Sequence, residues 1–199
     1  MELTPKLLEN DFVRLEPLTE SHRDILRAAS DDPEIWALMS ERGDGPHFDG
    51  WFDRRLADQA AGSLIGHAVF DKATSDCVGH SSFLAIAPSQ DRVEVGWTYY
   101  TAAARGTAIN PAAKLLLFTR AIEAGAARIE LKTGAKNFRS QRAMTKLGLA
   151  REGVLRSHVM TWTGERRDSV FFSMLPHEWP GVRARLEKRL AAFKSPSAS

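Results

Sequence analysis

Apolar residues along the chain alternate in some stretches and recur at a helical period in others, and the switches between the two mark out its elements. Phe12-Val13-Arg14-Leu15 alternates and predicts a short strand. Thr19 predicts the cap of a helix whose apolar face is Ile25, Leu26 and Ala29. Pro33 opens a second short helix carrying Ile35, Trp36 and Leu38, because proline costs nothing where an N–H has no helical partner. After the loop Gly43-Asp44-Gly45-Pro46, a helical run from about Phe48 to Ala60 is ended by Gly62. The period then becomes two. Leu64 to Phe70, Cys77 to Ala87 and Arg92 to Tyr99 predict an antiparallel meander, joined by the turns Ala73-Thr74-Ser75-Asp76 and Pro88-Ser89-Gln90-Asp91.

Helical spacing returns at Asn110-Pro111, predicted as N-cap and first helical residue, and runs from Ala112 to Ala124, where Gly125 stops it. Ile129 and Leu131 alternate with Arg128, Glu130 and Lys132 in a further strand. Asn137 caps a helix that reaches Leu147 and stops at Gly148. Val154 to Trp162 and Arg167 to Met174 read as a hairpin turning at Thr163-Gly164, and a last helix from near Pro180 sets Val182, Leu186, Leu190 and Phe193 on one face. Antiparallel strands followed by strand–helix–strand–helix units predict an α+β fold, a mixed and mostly antiparallel central sheet flanked by helices. No repeat or internal linker divides the chain. Residues 1–194 are expected to form a single domain, and residues 195–199 a flexible tail.

Composition narrows the class. With 43 % hydrophobic and 26 % charged residues the chain is globular and not disordered. Lys+Arg exceed Asp+Glu by only 27 to 25, which gives no electrostatic case for nucleic acid. The basic residues of the last helix, Arg183, Arg185, Lys188 and Arg189, are interspersed like a solvated face. Cys77 stands alone, and no Cys/His spacing resembles a zinc site, so no metal is expected. The opening MELTPKLLENDF lacks the basic and apolar regions of a signal peptide, and no apolar run approaches the roughly 20 residues that cross a bilayer. The expectation is a soluble, cytoplasmic protein with no membrane partner. A nucleotide-hydrolysing P-loop is excluded, because G-x-x-x-x-G-K-[ST] is missing.

Three segments carry a likeness. They are Arg92-Val-Glu-Val-Gly-Trp-Thr-Tyr-Tyr, then Arg105-Gly-Thr-Ala-Ile-Asn-Pro-Ala-Ala-Lys114, then Asn137-Phe-Arg-Ser-Gln-Arg-Ala143 with Lys146-Leu-Gly148. In this order and at these separations they resemble the GNAT superfamily of N-acetyltransferases. The branch of ribosomal-protein N-terminal acetyltransferases is nearest, through Glu152-Gly153-Val154-Leu155-Arg156 and Arg167-Asp168. The likeness runs from about Phe12 to Leu190 and is weakest between residues 30 and 65. It implies the GNAT fold, with a sheet splayed between two central strands to admit acetyl-CoA, and transfer of an acetyl group to a primary amine such as a protein N-terminus. A homodimer is compatible with it.

The resemblance also implies roles. Arg105, Gly106, Thr107, Ala108, Ile109 and Asn110 would wrap the pyrophosphate of acetyl-CoA mainly through backbone. The physical reason is that the first N–H groups of a helix lack internal partners and its dipole favours an anion. Pro111 removes one donor. Ala108 departs from the glycine usual there, which matters only if its φ is positive. Trp97, Thr98 and Tyr99 would line the carrier, and Asn137 would contact the pantetheine arm. Met144 holds the place where many members carry a tyrosine, so Ser140, with its free N–H facing the same cleft, is the hydroxyl left to protonate the departing thiolate. An attacking ammonium must lose a proton, and a carboxylate can take it. Glu94 is chosen as that base because it lies mid-strand before the carrier stretch, with Val93 and Val95 on the opposite face. His158 is the alternative base. Backbone N–H groups near Trp97 would meet the oxyanion. Trp36, Trp51 and Phe52, with Arg42, His47 and Asp49 nearby, are the expected acceptor walls.

Two other classes compete. One is an acyl-CoA-binding sensor or interaction module of the same fold, favoured by Ala108 and the missing tyrosine. The other is nucleic-acid binding through the terminal helix, recognisable by steep salt dependence.

Overall fold

The computed structural model describes residues 1–194, and the predicted tail, 195–199, lies outside the described residues. Eight strands form one sheet: β1 (Leu8–Glu9), β2 (Val13–Pro17), β3 (Leu64–Asp71), β4 (Cys77–Ala87), β5 (Arg92–Tyr100), β6 (Arg128–Gly134), β7 (Ala150–Met160) and β8 (Arg166–Met174). Their spatial order is β1-β2-β3-β4-β5-β6-β8-β7. Every neighbouring pair is antiparallel except β5 and β6, which run parallel. This is the mixed, open α+β sheet that the sequence pattern predicts.

Helices cover both faces, which is why the first six residues of β3 are all buried and do not alternate. On one face lie α1 (Arg23–Ser30), α2 (Pro33–Trp36) and α3 (Phe48–Ala60), packing Leu26, Trp36, Phe48, Trp51 and Phe52 against Ala68 and Tyr99. On the other lie α4 (Ile109–Glu123), α5 (Phe138–Leu147) and α6 (Trp179–Lys194), whose Leu117, Phe118, Met144, Leu186 and Leu190 meet Val93, Val95, Ile129 and Phe172. No helix of the described residues is long and apolar enough to cross a membrane.

Three of the apolar residues that the pattern places on helices are exposed: Ile25, Leu38 and Phe193. The first has a local cause. Thr19 caps a 3-10 turn, Glu20–His22, before α1 begins. The buried stripe is therefore His22, Leu26, Ala29 and Ser30, and Ile25 is rotated off it. Leu38 lies past the end of α2, and Phe193 drifts off the i, i+4 row of Val182, Leu186 and Leu190.

The meander carries three register shifts, at Val69/Phe70, His80/Ser82 and Leu84/Ala87, and the second lies beside the carrier stretch. Ser82 pairs with Gly96 but His80 pairs with Tyr99, so β5 carries an extra residue against β4. Trp97 absorbs this bulge in the left-handed region, at φ +47. Gly79 on β4 permits it. A Cβ there, at φ +154, would lie 2.1 Å from the Tyr99 carbonyl oxygen and 2.9 Å from the Tyr100 Cα. Gly79→Ala is expected to cost roughly 2–4 kcal/mol of stability. Urea denaturation checks this, and an unshifted midpoint would mean that β4 and β5 are not pressed together at the bulge.

Candidate active site

The parallel pair β5–β6 is short. Arg92, Val93 and Glu94 pair with Arg128, Ile129 and Glu130, and no pairing follows, although β5 continues to Tyr100 and β6 to Gly134. The sheet is splayed from the position of Glu94 onward. The stretch expected to line the carrier, Trp97-Thr98-Tyr99, forms one bank of the gap. The Tyr99 side chain is buried among Trp36, Trp51 and His80, so only its backbone is available there. The Thr98 hydroxyl bonds Ser81 Oγ at 2.7 Å, and the Trp97 ring lies under the Arg55 guanidinium at 4.5 Å.

Between β5 and α4 the loop carries a set of unspent donors. Gly106, Thr107, Ala108 and Asn110 have backbone N–H groups without a partner among the described residues. The Ile109 N–H is taken by the Thr107 hydroxyl at 3.3 Å. The predicted helix start needs correction here. α4 begins at Ile109 with Ala108 as its N-cap residue, so Asn110 sits inside the first turn. The Thr107 hydroxyl, which also donates to the Ala104 carbonyl, braces the entry that Asn110 was expected to cap. Ala108 has φ −67, so its methyl group brings no backbone strain. The Arg105 side chain turns away from the loop, donating to the Tyr100 carbonyl at 3.1 Å and to Asp32 at 2.9 Å.

Glu94 is buried on the α1–α3 face, with Val93 and Val95 on the other as expected. Its Oε2 accepts from Lys132 Nζ at 2.7 Å. Burial raises its pKa, and the lysine charge only partly opposes that rise. Opposite it stands a residue that motif reading passed over. Lys114 of α4 is buried beneath the gap and donates to Thr98 Oγ1 at 3.2 Å. Burial pulls it down to about 8, against the charge of Glu94, which favours the ammonium. A signal existed in the sequence, since Lys114 lies on the apolar stripe of Leu117 and Ala121.

Asn137 caps α5 as predicted, and its Oδ1 accepts the Ser140 N–H at 3.0 Å. That N–H is consequently not free, which corrects the expectation that it faces the cleft unspent. Met144 is buried in the core. His158 is exposed on β7 with its ring edge against Phe171 at 5.4 Å.

The expected acceptor walls are not walls. Trp36, Trp51 and Phe52 are fully buried and pack on one another's neighbours in the α1–α3 core. Aromatics at helical spacing serve here to hold the helices on the sheet. Asp49 is engaged by Arg23 and Arg27, and Arg42 by Asp44. The hairpin tip instead clasps the segment after α2. Trp162 donates from Nε1 to the Trp36 carbonyl and from its backbone to the Ser40 carbonyl, each at 3.0 Å. A groove of about 340 Å³ lies beside this contact, lined by Glu41, Arg54, Met160 and Trp162 among others.

A family model described as an acetyltransferase (GNAT) domain matches residues 13–150. Among solved structures, a GCN5-related N-acetyltransferase from Brucella melitensis superposes with a TM-score of 0.88 at 28 % identity, covering 98 % of this chain and 90 % of that one. RimJ of Mycobacterium smegmatis in complex with CoA-disulfide gives 0.78 at 16 % identity, with 93 % and 95 % covered. A ribosomal-protein-S5-alanine acetyltransferase from Vibrio fischeri gives 0.71 at 17 %, with 87 % and 98 % covered. The last two likenesses concern the fold alone. No curated protein sequence matches the chain.

The buried lysine yields a prediction about pH. Between about pH 8 and 10.5 the unfolded chain holds a proton on Lys114 that the folded chain has lost. Its burial therefore opposes folding fully below pH 8, and the penalty fades as pH rises toward 10.5. Lys114→Met is expected to stabilise the protein at pH 7 by about 1–3 kcal/mol, with the gain shrinking at higher pH. Thermal melts across pH check this, and a gain that grows with pH contradicts it.

Proposed function

The chain belongs to the GNAT acetyltransferase family, and from that premise we propose that it is an acetyl-CoA-dependent N-acetyltransferase acting on a primary amine, with a protein N-terminal α-amine as one acceptor. The observation that carries this reading is the parting of β5 and β6 immediately after Glu94 and Glu130. It opens the sheet at a buried carboxylate, below a helix N-terminus with unspent donors.

The residues present fit acetyl-CoA. The free N–H groups of Gly106, Thr107, Ala108 and Asn110, at the positive end of the α4 dipole, suit a pyrophosphate. The unpaired edge of β5 suits the amide-bearing pantetheine arm. Trp97 and its neighbours offer backbone N–H groups to the oxyanion. Glu94 takes the proton that the amine loses as its nitrogen bonds the thioester carbon. The carbon–sulfur bond breaks, and the Ser140 hydroxyl protonates the departing thiolate. A positioned base of this kind contributes about 10²–10⁴-fold, and holding amine and thioester together supplies much of the rest. The sensor reading loses its main support, since Ala108 adopts an ordinary helical φ.

A thiol-release assay with acetyl-CoA and a panel of free-N-terminal peptides and small amines tests the reading. Glu94→Gln is expected to lower kcat at least ten-fold while acetyl-CoA affinity is kept. Because burial raises Glu94, wild-type kcat/KM is expected to fall as pH drops through its raised pKa, and the variant is expected to lose that limb. Unchanged kinetics across pH in the variant would remove Glu94 as the base.

A further inference from the structure

We propose that the acceptor carries an anionic group beside its amine, held next to Glu94 by Lys132 and Arg167 over the Ser169 hydroxyl. The inference rests on the acetyltransferase reading and adds the class of amine it takes.

The sheet register brings these groups to one face. Lys132 stands opposite Phe171 and Gly134 opposite Ser169, and directly opposed residues point to the same side. Arg167, two residues before Ser169 on β8, shares that side. Glu94 does too, since its partner Glu130 is two residues before Lys132 on β6. Gly134 leaves this part of the face without a side chain, and Arg167 folds across it. A Cβ on Gly134 would come within 3.0 Å of Arg167 Cδ.

Polar groups here exceed their partners. Ser169 is fully buried, and its hydroxyl has no hydrogen-bond partner among the described residues. The Arg167 Nε is equally buried and unpartnered. Arg167 spends one N–H, from Nη1 to the Leu38 carbonyl at 3.2 Å, and Lys132 spends one, on Glu94. Buried polar groups left unsatisfied are costly, and an anion bound between Lys132 and Arg167 would complete the bonding of these two.

Charge points the same way. One carboxylate, Glu94, faces Lys132 and Arg167 on this side of the sheet and Lys114 from the other, so positive charge is in excess. The neighbouring acids do not correct this. Glu130 is engaged by Arg92 and Arg128, and Asp168 accepts from the Ser157 N–H. His158, exposed at the rim, adds no negative charge. A primary amine arrives as an ammonium, and a site of net positive charge repels it unless the same molecule brings an anion. An anion that bridges Lys132 and Arg167 turns the repulsion into orientation and leaves Glu94 to face the amine. The arrangement also selects against polycations such as polyamines.

Matched acceptors test this on the unaltered protein: alanyl-alanine against its C-terminal amide for a carboxylate, and phosphoethanolamine against ethanolamine for a phosphate, with spermidine as the polycation. The anionic member of at least one pair is expected to win by on the order of ten-fold or more in kcat/KM, the difference lying in KM. Which pair shows it identifies the anion. Arg167→Gln is expected to erase the preference and Arg167→Lys to restore part of it, whereas a merely structural role would leave the ratio unmoved. Calorimetry with the same pairs in the presence of CoA provides the comparison without turnover. Neutral members that bind and react as well as the anionic ones, or spermidine as the best acceptor, would overturn the proposal while leaving acetyl transfer intact. Acetyl-CoA binding, measured separately, reports on the underlying reading.

Discussion

Strand β5 borders two neighbours and, beyond Glu94, can satisfy only one of them. Its ladder to β4 persists to Tyr100, at the cost of a bulge with Trp97 in a left-handed conformation. Its ladder to β6 ends after three residues. Backbone N–H and C=O groups inside a protein must find partners, so an interior strand with one bare edge asks for something extended and amide-bearing to lie along it. Gly79 makes the choice sterically feasible, and the helices on both faces keep the parted strands from closing over one another.

The same parting governs the electrostatics. Lys132 flanks Glu94 on its own face and Lys114 approaches from the face below, yet the carboxyl still sits above its ordinary pKa because burial outweighs both charges. A carboxylate made more basic suits a proton acceptor. Lys114 shows the complementary effect, since the burial that lifts Glu94 depresses the lysine. One geometric feature, strands that diverge between two covering layers of helices, therefore produces both the opening and the unusual proton affinities around it.

The sequence made the elements legible wherever period and turn chemistry agreed. The boundaries Phe48–Ala60 and Cys77–Ala87, the Asn137 cap and the Gly148 stop all stand as read. β1, two residues long, offers no period to detect. β7 begins at Ala150 and not at Val154, because an edge strand exposed along most of its length has no buried face to enforce alternation. The Asn110 cap failed because Asn-Pro is a fair helix signature that Thr107 pre-empted one turn earlier. Trp36, Trp51 and Phe52 carry the same spacing whether they line a cleft or fill a core, and only the packing separates the two. Arg167 is legible only as part of the likeness, and Ser169 not at all, for a different reason. Their significance depends on which residues of β6 they face, and register between strands far apart in sequence is not written in either one.

The segment from Asp32 to Ser40 ties the loop before α4 to the β7–β8 hairpin. At its start, Asp32 caps α2 through one carboxylate oxygen and receives Arg105, from the loop before α4, on the other. Farther along, the carbonyls of Trp36, Leu38 and Ser40 accept from Trp162 Nε1, Arg167 Nη1 and the Trp162 backbone. Since α2 is only four residues long, it has little stability of its own and is held by these outside bonds. The loop with the unspent N–H groups and the hairpin that bears Arg167 are thus fastened to opposite ends of one short stretch of chain. Arg105 spends its guanidinium on that fastening, whereas Arg167 gives one N–H to it and keeps other donors unpartnered among the described residues. The division of labour follows from position: the arginine at the helix N-terminus has backbone donors beside it, whereas the one on β8 faces a glycine and a lone hydroxyl.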